Sequence, residues 1–285
     1  MLMNERHRVR ERLRSLKGLP AGTAAQRTLW ALAGDGTDWR RIADAIGSCP
    51  GVAARLLGLA NSAFFGLSTP VTTLRDAIQI LGLNLVRALT IALISQRQLG
   101  TAACTAFDEK RYWFASLLAA SVCRQVSHKI KPANPDMGDT AFLAGLVHRL
   151  GMKALAHISP QMMNTVLTDA AERGTGLCNR ERELLGMNHR EAGAILLERW
   201  NAPHSLVLST AHYGEADCGC EWQELCTIVG LASRWSESLL ADTRMEDDPG
   251  MDRLGLTAAD CSSLWELASA RRAALQQLAG AMEHG

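Results

Sequence analysis

Three observations predict an all-α fold for this 285-residue sequence. Apolar residues recur at spacings of three and four through most of its length. No stretch alternates polar and apolar residues as a half-buried strand would. Cap residues, glycines and prolines interrupt the apolar runs at helix-sized intervals. Hydrophobic residues make up 47% and charged residues 21%, the balance of a chain that buries a core beneath a solvated surface. There is no internal repeat and no low-complexity tract. The expected architecture is two closely packed helical lobes, 1–103 and 104–285, joined at the small-residue run GTAAC, 100–104.

The elements follow in order. Asn4 to Lys17 reads as a basic helix with Val9, Leu13 and Leu16 on one face. That face is narrow and the arginines are dispersed, so a first helix with a solvated side is expected rather than a membrane-surface helix. GLPAG at 18–22 is a turn and Thr23 to Ala33 a helix. GDGTD at 34–38 is a second turn, whose Thr37 or Asp38 caps a helix from Trp39 to Ile46. From Val52 to Ala63 the apolar positions Val52, Leu56, Leu59, Ala60 and Ala63 keep one helix face. Asn61 and Ser62 at its end are placed to bond backbone groups the helix leaves unpaired, and Gly66 and Pro70 stop it. The chain restarts at Thr73, with Asp76 as capping-box partner. Gly82 then provides a kink or a close approach before Val86 to Ile94.

The second lobe opens with a long, mostly apolar helix, Asp108 to Ile130, predicted to be central. Thr140 to His157 is read as one apolar helix, and Ser159-Pro160 opens the next, to about Arg173. NRERE, with Glu181 and Glu183, is taken as a solvated turn. Asn188 with Glu191 caps a helix ending at Trp200. Helices from His204 to Tyr213 and from Glu221 to Leu240 follow, then an acidic turn region at 245–253. Thr257 with Asp260 caps a last helix to about Ala279.

No apolar run approaches the roughly 18 residues of a membrane span. The start, MLMNERHRVRERLR, lacks the apolar core of a secretion signal. Eight cysteines in a chain this long are too dilute for a disulfide scaffold. A soluble cytoplasmic protein with no membrane partner is expected. Residues 1–100 hold 13 Lys/Arg against 6 Asp/Glu, a balance of +7, whereas 101–285 hold 17 against 23, a balance of −6. Either the basic part is a docking face, or the two parts attract each other and share out solvated charge; the second is the plainer reading. No nucleic-acid-binding motif accompanies the basic part.

The run LLGLANSAFFG, followed by VTTLRDAIQILGLNLVRAL, closely resembles the signature of HDOD domains, with Asn61, Ser62, Gly66 and Gly82 among its structural positions. These are bacterial all-helical modules distantly related to the HD metal phosphohydrolases. Weaker similarity extends from about Leu19 to about Leu240. The resemblance implies that the second lobe is HD-like, and it indicates where a metal site would be. HD enzymes hold one or two divalent cations with a first histidine, an adjacent His-Asp pair and a later aspartate, and the cations activate water and neutralise phosphoryl charge. By that alignment Ala115 in YWFASLLAA stands at the first histidine. His148 in FLAGLVHRLG is retained, but Arg149 replaces the aspartate, and Ser233 in IVGLASRWSESL stands at the last. A guanidinium has no lone pair to donate and stays charged. At about 4 Å and an effective dielectric near 20, each unit of like charge costs roughly 4 kcal/mol. No metal, no cofactor and no catalysis are therefore expected at this place.

His148, His189 and His212 fall where HDOD sequences also often carry histidine. They are read either as lining a vestigial pocket, which Arg149 would make attractive to an anion, or as a hydrogen-bonded core histidine and two polar contacts near helix ends. A zinc set of His212, Cys218, Cys220 and Cys226 is also conceivable, but C-x-C lacks the usual C-x₂-C knuckle, and free thiols are the plainer account. Cys49 before Pro50 is a lone thiol at a helix start without an assigned histidine. No phosphate loop, dinucleotide fingerprint or nucleophile elbow is present. The resemblance implies a non-enzymatic regulatory or signalling module acting through protein contacts, with or without a small anionic ligand. Its partners would be separate signalling proteins such as receiver, GGDEF, EAL or kinase proteins. They would dock on the basic first lobe around Arg12, Arg40 and Arg41, or in the groove between lobes. The competing class is a residual metal-dependent phosphohydrolase acting on a nucleotide or phosphoester.

Overall fold

Two glycines fix the arrangement around which the rest of the chain packs. A computed structural model describes residues 2–16, 39–47, 50–61, 69–82, 86, 90, 95, 99–130, 135–174, 176–243 and 248–283. Among them there is no strand, and the protein is all-α. The helices are α1 (Leu2–Ser15), α2 (Trp39–Gly47), α3 (Pro50–Ala60), α4 (Leu74–Leu81), α5 (Glu109–Ile130), α6 (Pro135–Val147), α7 (Leu150–Ile158) and α8 (Pro160–Arg173). They continue with α9 (Leu177–Leu185), α10 (His189–Arg199), α11 (His204–His212), α12 (Gln223–Leu240), α13 (Pro249–Arg253), α14 (Ala258–Ala270) and α15 (Arg272–Glu283).

α5 is central, as its apolar run implies. It is buried from Tyr112 to Cys123, and α6, α12, α14 and α15 all pack on it. α7 packs on α10, and α10 on α11. The α7–α10 crossing is made by Gly151 and Gly193. A Cβ on Gly151 would collide with the His189 carbonyl and the Gly193 backbone nitrogen, and a Cβ on Gly193 would lie 2.8 Å from Thr210 Cγ2. No residue with a side chain permits this approach.

α2, α3 and α4 form a smaller group that packs on itself. Asn61, just past α3, explains its place in the signature. Its side chain donates to Leu57 O (3.0 Å) and Val71 O (2.8 Å) and accepts from Val71 N (2.6 Å), closing the connection between α3 and α4. Thr73 caps α4, accepting from Asp76 N, and Gly82 ends it at φ 75°. Ser62, Gly66, the turns at 18–22 and 34–38, the helix at 23–33 and Cys49 lie outside the described residues.

Several expectations are corrected. α1 packs on α7, α9 and α10, so the first helix belongs spatially with the second lobe. Its apolar face supplies buried Val9 and Leu13, Arg12 donates to Ile158 O (2.8 Å), and Arg6 pairs with Glu191 (3.1 Å). The basic charge of this helix is thus spent partly on acidic neighbours in the same chain. The helix read from Thr140 to His157 is two helices broken at His148-Arg149. The His148 ring bonds Gly145 O (2.6 Å), the acceptor that a continuing helix would offer to Arg149 N–H, and α7 departs toward its crossing with α10. The last helix divides at Arg271, whose guanidinium donates to Ser121 Oγ (3.2 Å) on α5. NRERE is helical, within α9, and Glu181 is fully buried rather than solvated. The region 245–253 contains α13, capped by Asp248, which also makes a two-pronged ion pair with Arg234 (2.6 Å each). Among the described residues no helix is long and apolar enough to cross a membrane.

The crossing generates a prediction. Gly151→Ala places a methyl group against backbone rather than a movable side chain and is expected to cost at least about 2–3 kcal/mol of stability. Gly58→Ala, at an exposed position of α3 with open space beside it, is expected to be neutral or to add about 0.5–1 kcal/mol. Urea midpoints of the two variants against the parent check both.

Candidate functional site

The α7–α10 crossing brings two helix starts together. Arg149 at the start of α7 and His189 with Arg190 at the start of α10 face one cavity of about 920 Å³. Arg111 near the start of α5, Cys178 at the start of α9, Tyr213 after α11 and Ser233 on α12 complete the wall. Four helix N-terminal ends therefore border it, each adding positive potential, although Asp108, Asn188 and Glu181 already take some of their N–H groups.

Behind this wall runs a buried polar chain. Glu181 Oε2 accepts from His189 N (2.9 Å) and lies 2.6 Å from His189 Nδ1, and His189 Nε2 lies 2.8 Å from the Tyr213 hydroxyl. Burial alone would push the His189 imidazole down. The Glu181 carboxylate, then Tyr213, Cys178 and the Glu181 hydrogen bond, reverse this and hold it well above the usual histidine range. The imidazolium then acts back on its neighbours. Burial would raise the Tyr213 hydroxyl and the Cys178 thiol, yet the positive charges of His189 and Arg190 leave both below their ordinary values. Arg190 stacks on the Tyr213 ring, 4.4 Å from its centroid, in space that a side chain at Gly214 would occupy.

His148 sits under the same tyrosine, edge to face at 5.1 Å, and is fully buried. Burial first, and the Arg149 charge second, hold it well below the usual histidine range. Arg149 pairs with Glu237, which also lies 3.6 Å from Arg111. The Nε atoms of Arg149 and Arg190 and Nε2 of His148 have no partner. Three arginines and a charged His189 thus face two wall carboxylates, Asp108 and Glu237.

The sequence-derived positions divide. His148, Arg149 and His189 meet around Tyr213, and Ser233 lines the same cavity. Ala115 is buried within α5, away from the cavity wall, and His212 lies outside it, with Nδ1 3.1 Å from Glu215. The residues beside His148 do not fit a divalent cation. Among the described residues, two groups of His, Cys, Asp and Glu converge closely enough to ligate, and neither contains His148. In one of them, Cys178, Glu181 and His189, Glu181 Oε2 is already engaged by His189, whose imidazole holds a proton where a metal would need the lone pair.

Sequence reasoning missed Glu181, Arg190, Tyr213, Cys178 and the Arg149–Glu237 pair, whose members are remote in the chain. It also missed Lys153, fully buried on α7, which donates to both Glu109 oxygens (2.6 and 2.8 Å) and lies 5.2 Å from a Trp113 ring. A single lysine inside LGMKALAHI was the available signal.

The comparisons with known proteins agree with this architecture. The family model for the HDOD domain matches residues 20–216. The chain belongs to the HDOD domain family. An HDOD domain protein of unknown function from Geobacter sulfurreducens superposes with TM-score 0.74 at 18% identity, covering 99% of both chains. A candidate signal transduction protein from Marinobacter aquaeolei VT8 gives 0.82 at 21% identity, covering 99% of this chain and 66% of that one. A candidate phosphohydrolase from Shewanella amazonensis SB2B gives 0.72 at 21%, covering 96% and 97%. At these identities the likeness shows the HD-like helical fold. An uncharacterized protein of Treponema pallidum is 24% identical over 199 residues, 68% of this chain, and this HDOD chain spans only 37% of that relative's length.

The two histidines make opposite demands on pH. His189 binds its proton more tightly folded than unfolded, so its contribution is complete below about pH 6.5 and is lost as pH rises above it. His148 binds its proton less tightly folded, so stability is lost as pH falls below about 6.5. Denaturant midpoints across pH should therefore peak near that value. Glu181→Gln is expected to flatten the alkaline arm and to cost about 3–5 kcal/mol at pH 6, because it leaves a buried charge unpaired.

Proposed function

We propose that this HDOD chain is a non-catalytic regulatory protein that binds a small phosphate-bearing anion in the arginine-lined cavity and acts through contacts with separate signalling proteins. The observation that carries the reading is the place of Arg149. It stands beside His148 with a fixed positive charge, paired to Glu237, and keeps an unpaired Nε. A site that lodges an arginine there favours anions and opposes cations. Arg190, held over Tyr213 above Gly214, is pre-ordered, so little side-chain freedom remains to be lost when an anion arrives. Glu237 is half-exposed and shared between Arg149 and Arg111. An anion entering the cavity would compete with it, which gives ligand binding a way to alter the surface that partners see. Receiver, GGDEF, EAL or kinase proteins are the partner classes this reading expects. Arg12, whose guanidinium donates to Ile158 O, is partly spent within the chain as a candidate for the docking face.

A residual phosphohydrolase is the second reading. It draws on the unpartnered Nε2 of His148 and on the fold shared with the Shewanella protein. Purified protein supplied with manganese, iron or magnesium is expected to show no turnover of generic phosphoesters. Turnover that disappears in His148→Ala would favour the enzyme. Calorimetry with pyrophosphate and nucleoside monophosphates is expected to give binding that Arg190→Ala weakens by about tenfold or more, the loss of a charge-assisted hydrogen bond worth about 1.5–3 kcal/mol. Equal affinity in parent and variant would remove the cavity from the proposal.

A further inference from the structure

After Tyr213, the connection between α11 and α12 folds back on itself. It does so through CGC: Gly219, at φ 60°, reverses the backbone between Cys218 and Cys220. The loop is then tied down from both ends. Cys218 N donates to Gln223 Oε1 (2.7 Å), Gln223 Nε2 donates to Ala216 O (3.3 Å), and Gly219 N donates to Asp217 Oδ1 (2.9 Å). The result is that three sulfurs meet. Cys218 and Cys220 Sγ each lie 3.9 Å from Sγ of Cys226, on the first turn of α12, and all three sulfurs are within 4.8 Å of one another.

These separations have a chemical meaning. A disulfide needs its sulfurs about 2.05 Å apart, and here they are free thiols. Sulfurs bound to one tetrahedral zinc ion at about 2.3 Å stand roughly 3.8 Å from each other. The two separations from Cys226, 3.9 Å each, match a tetrahedron's edge. His212, which the sequence offered as a fourth ligand, is turned to Glu215 and does not join the group.

We propose that Cys218, Cys220 and Cys226 form a binding site for a thiophilic divalent cation such as zinc, with three thiolate ligands and the fourth position open. The donor set selects soft metals over magnesium or calcium. Three crowded thiolates repel one another, and a bound dication turns that repulsion into attraction. The ion would clip the α11–α12 connection, the segment that carries Tyr213 and Gly214 and so supports Arg190. This proposal stands independently of the anion cavity, since none of its ligands lines that cavity.

The test loads reduced, chelator-treated full chain anaerobically with cadmium or zinc and passes it through a desalting column. Retention of about one ion per chain, a thiolate-to-cadmium charge-transfer band and a raised unfolding midpoint are expected. Cys220→Ser and Cys226→Ser are expected to lose retention and band at least about tenfold, whereas Cys261→Ser keeps both. Cys220 is half-exposed, so its variant stays informative if Cys226→Ser fails to fold. Absence of retained metal in the parent, or equal retention in the triple serine variant, overturns the proposal. So does a stable disulfide within the trio that re-forms in preference to metal binding.

Discussion

Where α7 and α10 cross, backbone lies against backbone, because Gly151 and Gly193 present no side chains to separate them. The distances that matter around Tyr213 descend from this contact. It puts the start of α7, with Arg149, beside the start of α10, with His189 and Arg190. A wider crossing would move charged groups by ångströms, and coulombic interactions between buried groups are steep at that scale. The pairing of Glu181 with His189, and the stacking of Arg190 on Tyr213, then fix the start of α10 against α9 and the end of α11.

From the crossing follows an uneven electrostatic landscape in a small volume. His148 and His189 lie under one tyrosine, yet one is held neutral and the other charged. The difference comes from what each ring faces. His148 meets a carbonyl and a guanidinium, and His189 meets a carboxylate. Buried charges survive when they are paired and hydrogen-bonded, and the Glu181–His189–Tyr213 chain satisfies that requirement while Arg149 relies on Glu237 at the rim. Positive charge is the net character of the cavity, and that is why an anion, rather than a cation, is the ligand the site is suited to receive.

Much of this was legible in the residues. The apolar spacing marks α5 as central, Thr73, Asn188 and Thr257 cap helices as their side chains suggest, and Asn61 bonds backbone beyond its own helix. The HDOD signature names the family that the match over 20–216 establishes. Less legible were breaks without proline or glycine. His148-Arg149 interrupts an apolar run because a ring takes a backbone acceptor and because α7 has a glycine to meet elsewhere, and neither cause leaves a periodic trace. Glu181 is the clearest misreading. In NRERE it has the company of surface residues, and only its distance from His189 reveals a buried partner.

The division has a physical origin. Local order depends on neighbours three and four residues away, so the chain's own pattern determined that it would be helical, where most helices lie and which family it joins. Charge states and ligand geometry depend on what is adjacent in space. Arg149 meets Glu237 across 88 positions, and three cysteines converge through one left-handed glycine. Only the tertiary structure could decide those, because burial and close approach, which set the strength of each interaction, exist only once the helices have packed.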